Sequence, residues 1–248
     1  MPFSLWPVEH EQWALGRPDW PKAWRQLAPA LDISQWMGRS ELCPVAPLVF
    51  NAFHWVPPER IKVVLLGEEP YPRVTSACGV AFWDRQHLTW DQPIAGNCSG
   101  NILKALAINH GFAEYGTPLC EVRTRLRGRA GTPTDLFRYW MQQGVLLMNA
   151  SLTYTSHGDR RAHHKFWRAW TTSLLRALSE MTHVWFVAWG RKAQACLQKA
   201  RVPQERVIAA GHPTYFHQFC DSSKPRFSPF QEIETKTGFS WLYLDGAT

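Results

Sequence analysis

An α/β architecture, with a mainly parallel four-stranded sheet between two helical layers, is what this 248-residue chain predicts. Short apolar runs at residues 62–66, 145–148, 184–188 and 207–210 have the length and continuity of strands buried on both faces. Segments with helical apolar spacing lie between these runs. Strands alternating with helices imply parallel neighbours joined by helical crossovers, hence a three-layer α/β/α sandwich.

Taken in order, residues 1–60 read as helix and loop. Trp6, Trp13, Trp20, Trp24 and Trp36 are broken up by prolines, the pattern of an arm packed on a domain that spans 61–248. After the first strand, Ile102, Leu103, Leu106 and Ala107 keep helical spacing, and Gly111 offers a stop. Thr134 or Asp135 can cap a helix carrying Phe137, Trp140 and Met141. Phe166, Trp167, Trp170, Leu174, Leu178 and Met181 form one stripe along a helix over 163–181, and Gly190 opens a last helix to about Lys199. An insertion near 117–133 stands apart, because Arg123, Arg125, Arg127 and Arg129 occupy every second position. If extended, it presents four guanidinium groups on one face. It is then either a solvated loop or a phosphate-contacting arm.

Lys and Arg number 27 against 20 Asp and Glu, a net charge of +7 that fits a polyanionic partner such as nucleic acid. Fourteen tryptophans serve a core and can also serve base stacking. The six cysteines are scattered with no C-x-x-C pair, which argues against a zinc ribbon or an iron–sulfur cluster. The first residues hold acids and prolines where a signal peptide needs a basic end and an apolar run. No run approaches the roughly 18 apolar residues of a membrane span. The expectation is a cytoplasmic monomer with reduced thiols, without membrane, metal or cofactor.

Each strand ends in an unusual turn: 67–72 (GEEPYP), 149–151 (NAS), 189–190 (WG) and 211–214 (GHPT). Ligands of open α/β sheets bind at the carboxyl ends of the strands, so Glu69, Asn149 and His212 are expected to converge on one crevice. Adjacent carboxylates serve acid–base work or a metal. There is no G-x-S-x-G elbow and no G-x-x-x-x-G-K-[ST] loop, so neither a serine nucleophile nor nucleoside triphosphate chemistry is supported. The HHK at 163–165 looks metal-like, yet neighbours on a helix face different sides.

At these positions the chain resembles the uracil-DNA glycosylases. VVLLGEEPYP…GVAFWD resembles their VVILGQDPYH…GLCFSV, QQGVLLMNASLT their QGVLLLNxxLT, and FVAWGRKAQ their FLLWGxxAQ. GHPTYFHQF resembles their HPSPLS loop and SGNILKAL their SLxNIxKEL. The five blocks keep the family's order over residues 60–240, and the first sixty residues and the arginine-rich insertion have no counterpart. The resemblance implies a monofunctional glycosylase that flips a pyrimidine nucleotide out of DNA, single- or double-stranded, and hydrolyses its N-glycosidic bond. It implies Glu69 as the carboxylate facing the sugar and His212 as the donor to the departing base. Asn149, Phe82 and Tyr71, with Glu68 beside them, would surround the base. Phe216 would wedge into the vacated stack, and Ser99, Ser151 and Thr214 would touch phosphates.

Three departures from the pattern bear on substrate. Gln-Asp has become Glu68-Glu69, and Pro72 replaces a histidine. Glutamate is one methylene longer than aspartate, and catalytic placement tolerates about an ångström poorly. Residues adjacent in an extended turn diverge, so only one of the two acids is expected to face the sugar. Uracil removed for repair and a bulky 5-substituted cytosine removed from phage DNA in antiviral defence both remain open. So does an inactive DNA-binding or damage-sensing protein with the same fold.

Overall fold

The structure, a computed structural model, describes residues 20–92, 98–223 and 228–244. Its centre is a parallel four-stranded sheet of β1 (Val63–Gly67), β2 (Val145–Asn149), β3 (Trp185–Trp189) and β4 (Val207–Ala210), in the order β2-β1-β3-β4. All residues of β1 and β2 are buried, which explains why they read as unbroken apolar runs. Three strands end one residue later than the apolar pattern predicts, because Gly67, Asn149 and Trp189 still pair.

The helices are α1 (Asn51–Trp55), α2 (Cys98–Asn109), α3 (Leu119–Leu126), α4 (Pro133–Gln142), α5 (Arg160–Ser179), α6 (Arg191–Lys199), α7 (Phe216–Phe219) and α8 (Pro229–Thr237). Helix α4 starts earlier than predicted. Thr132, not Thr134 or Asp135, is its cap: the Thr132 hydroxyl accepts from the Asp135 N–H, and the Asp135 carboxylate accepts from the Thr132 N–H. Pro133 at the first helical position needs no N–H partner. The helix after Gly190 is not the last; α7 and α8 follow it.

The arginine-rich insertion is not extended. Val122 and Leu126 bury one side of α3, an i,i+4 period that outweighs the alternation of arginines. The four guanidinium groups therefore do not share a face.

Two aromatic clusters fill the space on either side of the sheet. Trp20, Trp24, Phe50, Phe53, Trp167 and Trp170 meet edge-on, with centroids 4.9–6.4 Å apart. Trp140, Trp189, Phe219, Phe230 and Trp241 form the other cluster. Trp20, Trp24 and Trp36 are buried in the same core as the sheet, so the amino-terminal segment packs on the domain from residue 20 onward. Trp6 and Trp13 lie outside the described residues. No helix among the described residues is long and apolar enough to cross a membrane.

Candidate active site at the carboxyl ends of the sheet

The winding order reverses about β1: the path moves outward to β2, then returns to β3 on the other side. A crevice opens at the strand ends of such a switch point. There the turns after β1, β2 and β4 line a pocket of about 240 Å³. Glu68, Glu69, Tyr71, Phe82, Asn149, His212 and Thr214 all border it. The predicted convergence of Glu69, Asn149 and His212 is therefore present in the fold.

Backbone bonds hold the first two turns together, with Ala150 N–H donating to Gly67 O at 2.9 Å and Ser151 N–H to Glu68 O at 3.0 Å. Gly67 allows Asn149 its place. A Cβ on residue 67 would stand 2.3 Å from Asn149 Oδ1, closer than any real contact. The Asn149 side chain is 6 % exposed, and no hydrogen bond from the described residues occupies its amide. A buried amide left open keeps one donor edge and one acceptor edge for a ligand.

Phe82 closes one wall in a left-handed backbone conformation, φ +65°, unusual for a bulky residue. Two contacts hold it there. Its ring packs edge-on against Trp189 at 5.1 Å, and its carbonyl accepts the Tyr71 hydroxyl at 3.2 Å. Burial pushes the Tyr71 phenol well above its ordinary range, so it remains a neutral donor.

His212 is held by its own loop. The Thr214 N–H donates to Nδ1 at 3.2 Å, so in the neutral ring the proton sits on Nε2. Burial lowers its pKa below the ordinary histidine value, and the nearby Glu68 only partly opposes that.

The two acids do not diverge. Arg160, in the first turn of α5, donates Nε to Glu69 Oε2 at 2.8 Å and Nη2 to Glu68 Oε1 at 2.5 Å. His164 Nε2 also meets Glu69 Oε2 at 2.9 Å, and Lys192 Nζ donates to Glu68 Oε1 at 2.6 Å. Burial alone would raise the Glu69 carboxyl, but the bonds from His164 and Arg160 outweigh it and hold the group below its ordinary value. Oε2 takes both bonds, and Oε1 receives none from the described residues. Glu68 is held in the same way, its Oε1 accepting from both Arg160 and Lys192. Like Glu69, it borders the pocket.

Glu68, Glu69 and His164 are also the grouping among the described residues whose donor atoms lie close enough for a metal, within 4.8 Å of one another. The guanidinium of Arg160 and the ammonium of Lys192 already neutralise those carboxylates. We therefore assign no ion there.

Several predicted DNA contacts land elsewhere. Ser99 is 1 % exposed and bonds His87 Nδ1 at 2.9 Å, so it cannot reach a phosphate. Its neighbour Cys98 lines the pocket instead. The spacing to Asn101 already held that signal, since aligning Asn101-Ile102 with the pattern's NI puts Cys98 at the serine. Burial pushes the Cys98 thiol up to about 12, so it is a small neutral wall. Ser151 is fully buried, its hydroxyl donating to Thr153 O. Thr214 is exposed at the pocket mouth.

Phe216 is only partly exposed. It packs on Tyr115 at 5.4 Å with Lys104 Nζ 4.4 Å from its ring centroid, while the preceding Tyr215 is 56 % exposed. On α3, Arg125 pairs with Glu121 and donates to Phe112 O, and just past its end Arg127 reaches Asp91 at 3.2 Å. Arg129 lies over Phe112, and Arg123 is half-buried near Gly100. Sequence reading also missed Arg160 and His164, although their i,i+4 spacing at the start of a helix puts them on one face.

No protein-family model matches the chain. It is 30% identical over 175 residues to the uracil-DNA glycosylase of Bacteroides thetaiotaomicron, covering 70% of each chain. It is 30% identical over 200 residues to that of Azobacteroides pseudotrichonymphae, covering 79% of this chain and 80% of the relative. The wild-type UNG crystal structure from Nitratifractor salsuginis superposes with a TM-score of 0.74 over 97% of this chain, at 21% identity, a likeness of fold. With that identity sustained over more than two thirds of the chain, and the same sheet beneath it, this protein belongs to the uracil-DNA glycosylase family.

Proposed function

We propose that the chain excises uracil from DNA. It would flip the nucleotide into the 240 Å³ pocket and hydrolyse the N-glycosidic bond with Glu69, His212 and Asn149. One observation carries this reading most: Glu69 is clamped through one carboxylate oxygen while the other stays open at the pocket. Bond cleavage leaves positive charge on the sugar and negative charge on the departing base. The ionised Glu69 would offset the first and orient water through Oε1. The Nε2–H of His212 would donate to the oxygen where the second charge develops. The unspent amide of Asn149 would pair with the pyrimidine edge, and Phe82 would stack on its face. Tyr71, tethered through its hydroxyl, would leave room only for a small group at C5. No step calls for a cofactor.

A second reading has one observation in its favour. A larger cavity of about 800 Å³ shares Glu68, His212 and Thr214 with the base pocket, which would give a bulky 5-substituent somewhere to go. Base release from a panel of DNAs separates the two. Uracil, thymine mismatches, 5-hydroxymethylcytosine and its glucosylated form would each be followed by alkaline cleavage at the abasic site. Release of uracil alone is expected. Release of only the modified cytosine would replace repair by defence as the role, and release from none would leave a DNA-binding protein with this fold.

We further assign the stack-filling wedge to Tyr215 rather than Phe216, because Tyr215 is the exposed aromatic beside His212. Tyr215→Ala should slow excision about tenfold on duplex DNA, in which unstacking costs a few kcal/mol, and much less on a single strand. Phe216→Ala should lower the melting temperature instead, through its contacts with Tyr115 and Lys104. Equal losses on the two DNA forms for Tyr215→Ala would remove it from that role.

A further inference from the structure

A second cavity of about 910 Å³ runs between α5 and α6, and nothing in the glycosylase reaction above uses it. Both helices start at the strand ends, so the trough begins at the pocket rim, where Glu68 borders both cavities. It extends along α5 from Arg160 to Thr172, roughly 18 Å at 1.5 Å per residue. Spread over that length, its volume corresponds to a cross-section of about 50 Å², the scale of one sugar–phosphate strand.

The lining is cationic. Arg161, Lys165 and Arg168 enter from α5, and Arg191 and Lys199 from α6. All five are exposed, and none pairs with a carboxylate among the described residues. The acid in the lining, Glu68, is already bonded to Arg160 and Lys192. Five cations with no carboxylate partner among the described residues repel one another along one trough, an arrangement that a polyanion relieves. The walls hold no Trp, Tyr or Phe on which a base would stack, so the contact would be to the backbone and indifferent to sequence.

We propose that this trough binds the phosphates of single-stranded DNA that continues from the flipped nucleotide on one side. The proposal rests on the glycosylase reading for its direction, and its test is built to fail separately. In the triple variant Lys165→Ala, Arg168→Ala, Lys199→Ala, every changed residue is exposed and lies outside the Glu68–Glu69 network. Affinity for a long single strand would be titrated against salt, using DNA that needs no excision. With about 0.7 counterion released per phosphate on single strands, the log–log salt slope should become shallower by about 2. Strands extended from the target base on the 5′ side or the 3′ side should bind the wild type more tightly on one side only, and the variant should lose that gain. Excision from an oligonucleotide too short to reach Lys165 should be equal in the two proteins, which also shows that the variant is folded. An unchanged slope, or a length gain that survives in the variant, overturns the trough. A loss seen on duplex DNA alone overturns it as well. Absence of excision from the short substrate in both proteins would instead strike the glycosylase reading while the slope still decides the trough.

Discussion

Glu69→Gln should lower the rate of base release about a thousandfold, roughly 4 kcal/mol, with DNA affinity unchanged or higher. The amide keeps the shape of the carboxylate and removes its charge, so what is lost is the interaction with positive charge that forms on the sugar only in the transition state. The surroundings make the test a sharp one. Arg160 Nε and His164 Nε2 sit 2.8 and 2.9 Å from one oxygen, so the side chain has little freedom to move away. Glu69→Asp should be intermediate. It restores the charge but shortens the reach by a methylene, drawing the carboxylate off its two donors. Because those donors hold the Glu69 carboxyl below its ordinary 4.5, the ion pair contributes to stability above the unfolded value. That contribution disappears as pH falls through the lowered folded value, so acid unfolding from this source belongs below pH 4.5. If Glu69→Gln cleaves as fast as the wild type, the carboxylate has been assigned to the wrong step.

What could be read from the chain and what could not differ for physical reasons. Strands such as 63–66 and 145–148 are buried on both faces, so their apolar runs have no competing explanation, and the turns that end them locate the crevice. Glu69, Asn149 and His212 meet because parallel strands end together. The partners of Glu69 were invisible for the opposite reason. Arg160 lies 91 residues away, and its contact depends on how the segment after β2 leads into α5, which local pattern does not set. A single position also matters greatly on a helix, where one residue is about 100° of rotation. Taking Ser99 in place of Cys98 turned a pocket wall into a surface group. At residues 215–216 two aromatics compete for one partly buried position. Phe216 takes it because Tyr115 and Lys104 flank it, a choice made by tertiary contacts. The alternating arginines mislead differently: their spacing puts them on one face only in an extended chain, while the buried pair Val122 and Leu126 keeps a helical period.

His212→Ala should cost about 10²–10³ in the rate of release, or 2.7–4 kcal/mol, the magnitude of losing one preorganised donor to a developing oxyanion. The donor here is a neutral ring. The Thr214 N–H occupies Nδ1, so Nε2 carries the proton and offers an N–H without a net charge. Burial lowers the pKa below 6.5, so the neutral form persists on the acid side of the usual histidine range. The wild-type rate should therefore stay level as pH falls through 6.5 and decline only below it, when protonation of Nδ1 takes the lone pair that holds the Thr214 N–H. The alanine variant, having no ring to titrate, should lose that limb and keep only the later one set by Glu69. His212→Gln retains an N–H donor without the titration, so partial recovery with the same missing limb is expected. A wild-type decline centred at 6.5 or above would show that the ring works as an imidazolium. The charge that stabilises the departing base would then come from a proton on His212 itself rather than from the fixed dipole of its Nε2–H.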